Sequence, residues 1–158
     1  MIDLLDRIER EKCYLLKEFR AHDRSHPQSD EIYREVDSLT KELIQFGHQF
    51  DSRWITRALG NDETIQSVLS GHSERLAIAF NFIQKTIPSP IQITKNLRIC
   101  GDCRKFRIFQ LKNDVIIVNV DAAIKLIAQI RQHEIIARDA NRIHHFHRNG
   151  QCSCGDYF

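Results

Sequence analysis

Glycine and proline are scarce in this chain, with 6 and 3 residues among 158, and it has no low-complexity tract. This scarcity excludes collagen-like, elastic and disordered classes. No apolar run approaches the roughly 18 to 20 residues that a membrane span needs, and the acidic start MIDLLDRIEREK is unlike a signal or transit peptide. We therefore expect a soluble single domain with no membrane partner, and any targeting signal to be missing from these residues.

The small net charge of +2 conceals an uneven distribution. Residues 1–90 carry 12 basic and 15 acidic side chains, whereas residues 91–158 carry 11 and 6. The excess of positive charge in the second part is compatible with an anionic partner such as nucleic acid. An ordinary solvated surface also explains it.

Cysteine is the most informative residue type, and the count of 5 is odd. Four form two close pairs, Cys100 with Cys103 and Cys152 with Cys154, while Cys13 stands alone in a helical pattern and is expected to be a small core residue. Because no secretory signal is present, close pairs indicate metal ligands more readily than disulfides.

Apolar periodicity predicts alternating helices and strands, which is typical of an α/β layered fold. The second helix carries the apolar stripe Ile32, Val36, Leu39, Leu43 and Phe46, and Gly47 ends it. The predicted helices cover 2–19, about 27–46, about 62–83 running through Gly71, and 122–130; the predicted strands cover 91–99, 134–140 and 142–146, with a β-hairpin over 105–120 and a turn at Asn149-Gly150.

One constellation carries enzymatic chemistry: His72-Ser73-Glu74, followed 26 residues after Glu74 by Cys100-Gly101-Asp102-Cys103. Zinc deaminases hold a tetrahedral zinc with one His and two Cys, and a Glu two residues after the His moves protons without binding the metal. Bound zinc lowers the pKa of its water to about 7, so hydroxide is available at neutral pH. Glu74 is then the candidate proton carrier.

Each half of this constellation has a simpler explanation when taken alone. A His-x-Glu triplet occurs by chance, and a Cys-x-x-Cys is more often a structural zinc knuckle or a redox pair. Their order, on a helix and then at a strand end, favours a deaminase. The general signature also has Pro before the first Cys, whereas this chain has Ile99.

A second candidate metal site combines His144-His145-Phe146-His147 with Cys152-Ser153-Cys154. The last dozen residues have little apolar reason to fold, and a metal would supply one. The alternative interpretation is that these side chains lie on the surface by chance and bind no metal.

Six longer motifs extend beyond the candidate metal ligands: DRSHPQSDEIY at 23–33, HSERLAIAF at 72–80, PSPIQITKNLRICGDC at 88–103, AIKLI at 123–127, RDANRIHHF at 138–146 and CSCGDYF at 152–158. Together they closely resemble the DYW domain, the C-terminal deaminase domain of plant-type pentatricopeptide-repeat RNA-editing factors. The resemblance covers about residues 22–158 and implies a cytidine-deaminase-like fold, a three-layer α/β/α arrangement with N-terminal helices and a zinc-stapled tail.

By residue-to-residue transfer, the resemblance implies a catalytic zinc on His72, Cys100 and Cys103, with Glu74 as proton shuttle. It implies a structural zinc on Cys152, Cys154 and a His of the His144-His145 pair. It also implies one deaminase domain over 1–158, divided into an N-terminal helical part (1–47), a gating segment (48–70), a core (71–146) and a zinc-binding tail (147–158).

The chain departs from the family pattern at three places. Arg104 stands where the family normally has a His that is usually taken as a ligand of the second zinc, and Phe158 replaces the final Trp. Residues 104–120 have the character of an insertion between the CGDC motif and the following helix. The family's upstream repeats are not among these residues, so RNA reading is expected from a pentatricopeptide-repeat module in cis or in trans.

The leading hypothesis is a zinc-dependent cytidine deaminase that performs C-to-U editing on single-stranded RNA in a mitochondrion or chloroplast. The alternative is a catalytically weak or inactive zinc-stapled module that partners an RNA-binding repeat protein, which the insertion and Arg104 favour. A deaminase of free nucleosides is a third possibility, but the long tail has no evident purpose in such an enzyme.

Overall fold

The fold is described from a computed structural model over residues 18–55, 57–95, 109–111, 114–116, 123–140 and 142–153. Several sequence predictions fall outside these ranges: the helix over 2–19 apart from its last two residues, and the positions of Cys13, Cys100, Cys103, Arg104, Cys154 and Phe158.

After residue 62 the described elements pass from helices to strands, to a helix and to strands again, as the periodicity predicts. In the part of the chain that the structure describes, no helix is long and apolar enough to cross a membrane. The helices are α1 (Ser29–Gln45), α2 (Ile65–Ser70), α3 (Ser73–Phe82) and α4 (Ala123–Ile130), with a short 3-10 turn at Ser52–Trp54; the strands are β1 (Ile91–Thr94), β2 (Phe109–Leu111), β3 (Asp114–Ile116), β4 (Ile135–Arg138) and β5 (Ile143–Phe146).

Three of the described strands form a mixed sheet in the order β1-β4-β5. β1 runs parallel to β4, with Ile91 opposite Ile135, and β5 runs antiparallel to β4, with Phe146 opposite Ile135. The parallel pair requires a crossover, and α4 lies within that connection. This confirms the predicted mixed α/β class, while the three-layer arrangement stays a prediction.

Helix α1 packs its apolar stripe against the core. Ile32, Val36, Leu39 and Leu43 are each at most 3% exposed, as the stripe predicts, because they recur at helical spacing on one face. Phe46 is the exception, at 60% exposed. It is the C-cap residue, where the helix ends before Gly47 at φ +86°, so its side chain has left the buried face.

The prediction of one helix running through Gly71 is wrong. The segment divides into α2 and α3, and His72 lies between them with an extended backbone, φ −64° and ψ 143°. Thr64 and Ser67 form a capping box at the start of α2, and Gly71 ends it. The break places a new helix N-terminus immediately after His72.

The predicted β-hairpin is confirmed for its strands. β2 and β3 pair antiparallel, with Leu111 opposite Asp114, and form a two-stranded sheet of their own. Both strands lie within the segment 104–120 that the sequence marks as an insertion.

Helices α1 and α4 are joined by a charged contact. Arg131, just after α4, donates from Nε and Nη2 to Glu42 at 2.8 and 2.9 Å, and from Nη2 to Glu35 at 2.7 Å. Burial raises the pKa of Glu35, while the charge of Arg131 acts in the opposite direction. This contact fixes α1 against α4, and with it the core around which the site is built.

Candidate active site and metal ligands

The start of α3 brings two of the predicted site residues together. His72 is the N-cap residue and Glu74 lies in the first helical turn. The His72 Nδ1 atom lies 3.6 Å from Glu74 Oε1, and the Glu74 side chain is fully buried. A carboxylate in the first turn is favoured by the helix dipole, which partly offsets the free-energy cost of its burial.

The second partner of Glu74 comes from the sheet. Lys95 follows β1, and its Nζ donates to Glu74 Oε2 at 2.6 Å. The Lys95 backbone N–H donates to the Arg138 carbonyl at 2.7 Å, which extends the β1-β4 ladder by one residue. The carboxyl end of β1 therefore faces the N-terminus of α3, and the buried carboxylate lies between them.

The electrostatics of Glu74 follow from these contacts. Burial alone would raise its pKa, but the adjacent His72 ring and the charge and hydrogen bond of Lys95 together hold the pKa well below its usual range. The side chain is therefore an anion at neutral pH, positioned by Lys95 and presented beside His72.

The predicted cysteine ligands Cys100 and Cys103 lie outside the described residues. In the sequence, Cys100 follows Lys95 by five residues.

The segment before α1 closes over the start of α3. The His22 backbone N–H donates to the Gly71 carbonyl at 2.7 Å, and the His22 ring lies against Gly71 so closely that a Cβ there would overlap its Nδ1 and Cε1 atoms. Gly71 is thus required by a close approach, not by its own φ angle. His22 and Gly71 also line a cavity of about 260 Å³ between α1 and α2.

For the second predicted metal site, the structure describes two of the ligands that the sequence proposes, His144 and Cys152. The Cys152 Sγ atom lies 3.8 Å from His144 Nδ1. Tetrahedral zinc with its usual bond lengths to sulfur and nitrogen separates such donors by about 3.6 Å, so this pair fits two ligands of one ion. Cys154, the third predicted ligand, lies outside the described residues.

A carboxylate supports the His144 ring from its other side. Asp139 Oδ2 lies 3.6 Å from His144 Nε2, and both residues are at least 95% buried. Asp139 is itself held by the backbone N–H of Arg142, which donates to Oδ1 at 2.9 Å. A carboxylate behind a ligating imidazole is the usual way that proteins orient such a ligand.

His144 and His145 are equal candidates in the sequence, and the alternation of side chains along β5 places them on opposite faces of the strand. His144 and Phe146 are buried, whereas His145 faces the opposite side of β5. There His145 Nε2 lies 3.5 Å from Glu134 Oε2, and His147 Nδ1 lies 3.8 Å from Glu134 Oε1. Glu134, His145 and His147 thus form a His/Glu triad whose geometry could hold a metal ion.

Sequence reasoning missed Lys95, Asp139 and Glu134. The motif containing Lys95 is visible in the sequence, but its role depends on which helix lies beside the end of β1. Asp139 and Glu134 lie near His144 and His145 only because β4 and β5 pair in one register. No spacing rule along the chain indicates these partners.

Comparison with known families identifies the class and then the family. Residues 47–119 and 105–158 match the DYW family of nucleic acid deaminases, and residues 17–43 match the E+ motif. The two stretches of the first match overlap inside the segment 104–120. The chain belongs to the DYW family of nucleic acid deaminases.

Curated relatives are pentatricopeptide repeat-containing proteins of Arabidopsis thaliana. One is 43% identical over 140 residues, covering 89% of this chain and 14% of the relative. One named as chloroplastic is 37% identical over 139 residues, covering 87% and 12%, and one named as mitochondrial is 38% identical over 134 residues, covering 85% and 16%. The chain thus spans less than a fifth of the length of these relatives.

The contact between Gly71 and His22 gives a prediction. Gly71→Ala should lower the free energy of unfolding by about 1 to 2 kcal/mol, because its Cβ must displace the His22 ring. In a His22→Ala background the same substitution should cost less than about 0.5 kcal/mol. Urea unfolding of the four proteins measures both values, and an equal cost in the two backgrounds would contradict the close contact.

Proposed function

We propose that this domain catalyses zinc-dependent hydrolytic deamination of cytidine to uridine in single-stranded RNA. The observation that carries the proposal is the buried carboxylate of Glu74, held at the first turn of α3 beside His72 and oriented by Lys95. Membership of a nucleic acid deaminase family supports the reaction class.

The roles of the residues follow from their chemistry. His72, Cys100 and Cys103 would hold a zinc ion, which when bound supplies Lewis-acid activation of a water molecule at neutral pH. Glu74 would carry one proton of the attacking water to the cytosine ring nitrogen N3 and the other to the amino group, which leaves as ammonia, while the oxygen of the water becomes O4 of uridine. Lys95 acts through Glu74 and is therefore a positioning residue.

The burial of Glu74 suits this task because it keeps bulk water away from the carboxylate. Glu74 is 3% exposed, while the His72 side chain retains 18% exposure. The imidazole therefore lies toward solvent and the carboxylate behind it. A cytosine unstacked from single-stranded RNA could approach from the exposed side.

A second zinc on His144, Cys152 and Cys154 would have a structural role. The measured separation of His144 and Cys152 supports this ligand set, and the alternation of β5 favours His144 over His145. Asp139 would orient the His144 ring. Such an ion would fasten the tail to β5, where His145 and Ser153 already exchange hydrogen bonds.

The wider biological setting is proposed from the relatives. Because they are pentatricopeptide repeat-containing proteins, and some are named as chloroplastic or mitochondrial, we propose that a repeat module in cis or in trans selects the RNA site within one of these organelles. Within 1–158 we retain a helical part (1–47), a gating segment (48–70), a core (71–146) and a tail (147–158) as a proposed organisation.

The hairpin β2-β3 favours a second candidate function. Its strands begin within a few residues of Cys103, in the segment where the family match divides. If this hairpin displaces the Cys100 and Cys103 ligands, the domain would be a zinc-stapled interaction module without turnover. The two functions differ in whether Glu74 is needed for any measured activity.

Deamination of a cytidine-containing RNA tests the leading function. The wild-type domain, joined to a repeat module that binds that RNA, should convert cytidine to uridine, and Glu74→Ala should lower the rate by at least about 100-fold because it removes the proton carrier. The matched control Glu31→Ala removes an exposed carboxylate on α1 and should retain the rate. Absence of conversion by the wild type would favour the interaction module.

Zinc content gives an independent prediction. After gel filtration in metal-free buffer, elemental analysis should find two tightly bound zinc ions per chain. Cys100→Ser and Cys152→Ser should each lose a different one, because the two ligand sets share no residue. Glu74→Ala and His145→Ala should keep both. Loss of an ion from Glu74→Ala would place this carboxylate in the coordination shell and contradict its assigned role.

The variant Lys95→Met tests whether Lys95 positions the Glu74 carboxylate. Without the ammonium group, Glu74 loses its shortest contact, and kcat should fall by about 10- to 100-fold while KM for RNA and zinc content stay unchanged. Lys95→Arg, which keeps the charge, should recover part of kcat. An unchanged kcat in Lys95→Met, with the same Tm as the wild type, would show that Lys95 does not act through Glu74.

A further inference from the structure

Outside the proposed zinc sites, three side chains of types that bind metals meet at one end of the β4-β5 strand pair. Glu134 immediately precedes β4, His145 lies in β5, and His147 follows β5 by one residue. Their donor atoms all lie within 4.8 Å of one another. Each side chain retains between 33% and 39% exposure, so solvent and ions have access to the cluster.

The register of the sheet explains why these three residues meet. Phe146 is opposite Ile135, so one position further along the antiparallel pair His147 comes opposite Glu134. His145 is two residues before His147 and therefore projects from the same face. Glu134 and His147 form a cross-strand pair, and His145 is the diagonal neighbour.

The distances suit a first-row divalent metal. With bonds of about 2.0 to 2.2 Å to nitrogen and oxygen, tetrahedral zinc places neighbouring donors about 3.3 to 3.5 Å apart. The observed separations from Glu134 are 3.5 Å to His145 and 3.8 Å to His147. His145 Nε2 is shielded from solvent and makes no hydrogen bond to any of the described residues, so a donor atom is available at the centre of the cluster.

We propose that Glu134, His145 and His147 form an additional binding site for a divalent transition-metal ion of the zinc type, completed by water. This site is on the face of β5 opposite to His144, so one strand would carry metal ligands on both sides. The bound ion would connect the start of β4 to the turn after β5, and would thereby stabilise the turn that leads to Cys152. The proposal does not depend on deaminase activity.

Binding of added Zn²⁺ to this site can be measured separately from the tightly bound zinc. Free Zn²⁺ should be titrated calorimetrically into the protein purified with its resident metal. The wild type should bind one further equivalent, and His147→Gln and Glu134→Gln should each weaken this binding by at least about tenfold. His133→Gln is the matched control, since His133 is adjacent in sequence but its Nε2 faces the Pro88 carbonyl at 2.7 Å.

Thermal unfolding provides the second measurement. Added Zn²⁺ should raise the Tm of the wild type and of His133→Gln, but not that of His147→Gln, because an ion that binds only the folded state stabilises it. Equal zinc binding by the wild type and both triad variants would overturn the proposal. Loss of the exchangeable ion in His144→Gln, with retention in His147→Gln, would also overturn it, by moving the ion to the opposite face.

Discussion

Burial of the Glu74 carboxylate is the constraint on which the site depends. An unpaired carboxylate in the core would cost several kcal/mol, so the fold must supply partners for it. It supplies the first turn of α3, the His72 ring and the Lys95 ammonium, which together offset that cost. The first turn and the His72 N-cap exist because α3 begins at Ser73, whereas Lys95 is supplied by the end of β1.

The start of α3 depends in turn on Gly71. A continuous helix through this position would bury His72 in a helical turn and leave the Glu74 carboxylate without the dipole of a helix end. The close approach of His22 allows no side chain at Gly71, so the segment before α1 and the break between α2 and α3 specify each other. His22, which lies outside the His72-Ser73-Glu74 motif, therefore contacts the residue that precedes this motif.

Periodicity was sufficient to predict the elements that bury one face. The stripe of α1, the strands β4 and β5 and the hairpin β2-β3 all follow from spacing along the chain, because spacing determines which side chains share a face. The helix break at Gly71 was not predictable in this way, and the His22 side chain that lies against Gly71 comes from 49 positions earlier in the chain. Phe46 belongs to the predicted stripe by spacing but is exposed, because it is the C-cap residue of α1.

In the candidate site, too, contacts between residues close in sequence could be predicted, whereas contacts made by packing could not. His72 and Glu74 are two residues apart, so their association is visible in the sequence, whereas Lys95 joins them only through the packing of β1 beside α3. Likewise the sequence leaves His144 and His145 as equal candidates. Pairing of β5 with β4 separates them, directing His144 toward Cys152 and Asp139, and His145 toward Glu134.

Anomalous scattering at the zinc edge, from crystals of the zinc-loaded chain, tests the central claim most directly. We expect a zinc ion bonded to a His72 ring nitrogen at about 2.0 to 2.1 Å, with two sulfur ligands from Cys100 and Cys103. We also expect the Glu74 carboxylate to lie beside the ion without binding it. Absence of zinc at His72, or a Glu74 oxygen at bonding distance, would contradict the assignment of Glu74 as the proton carrier of a deaminase.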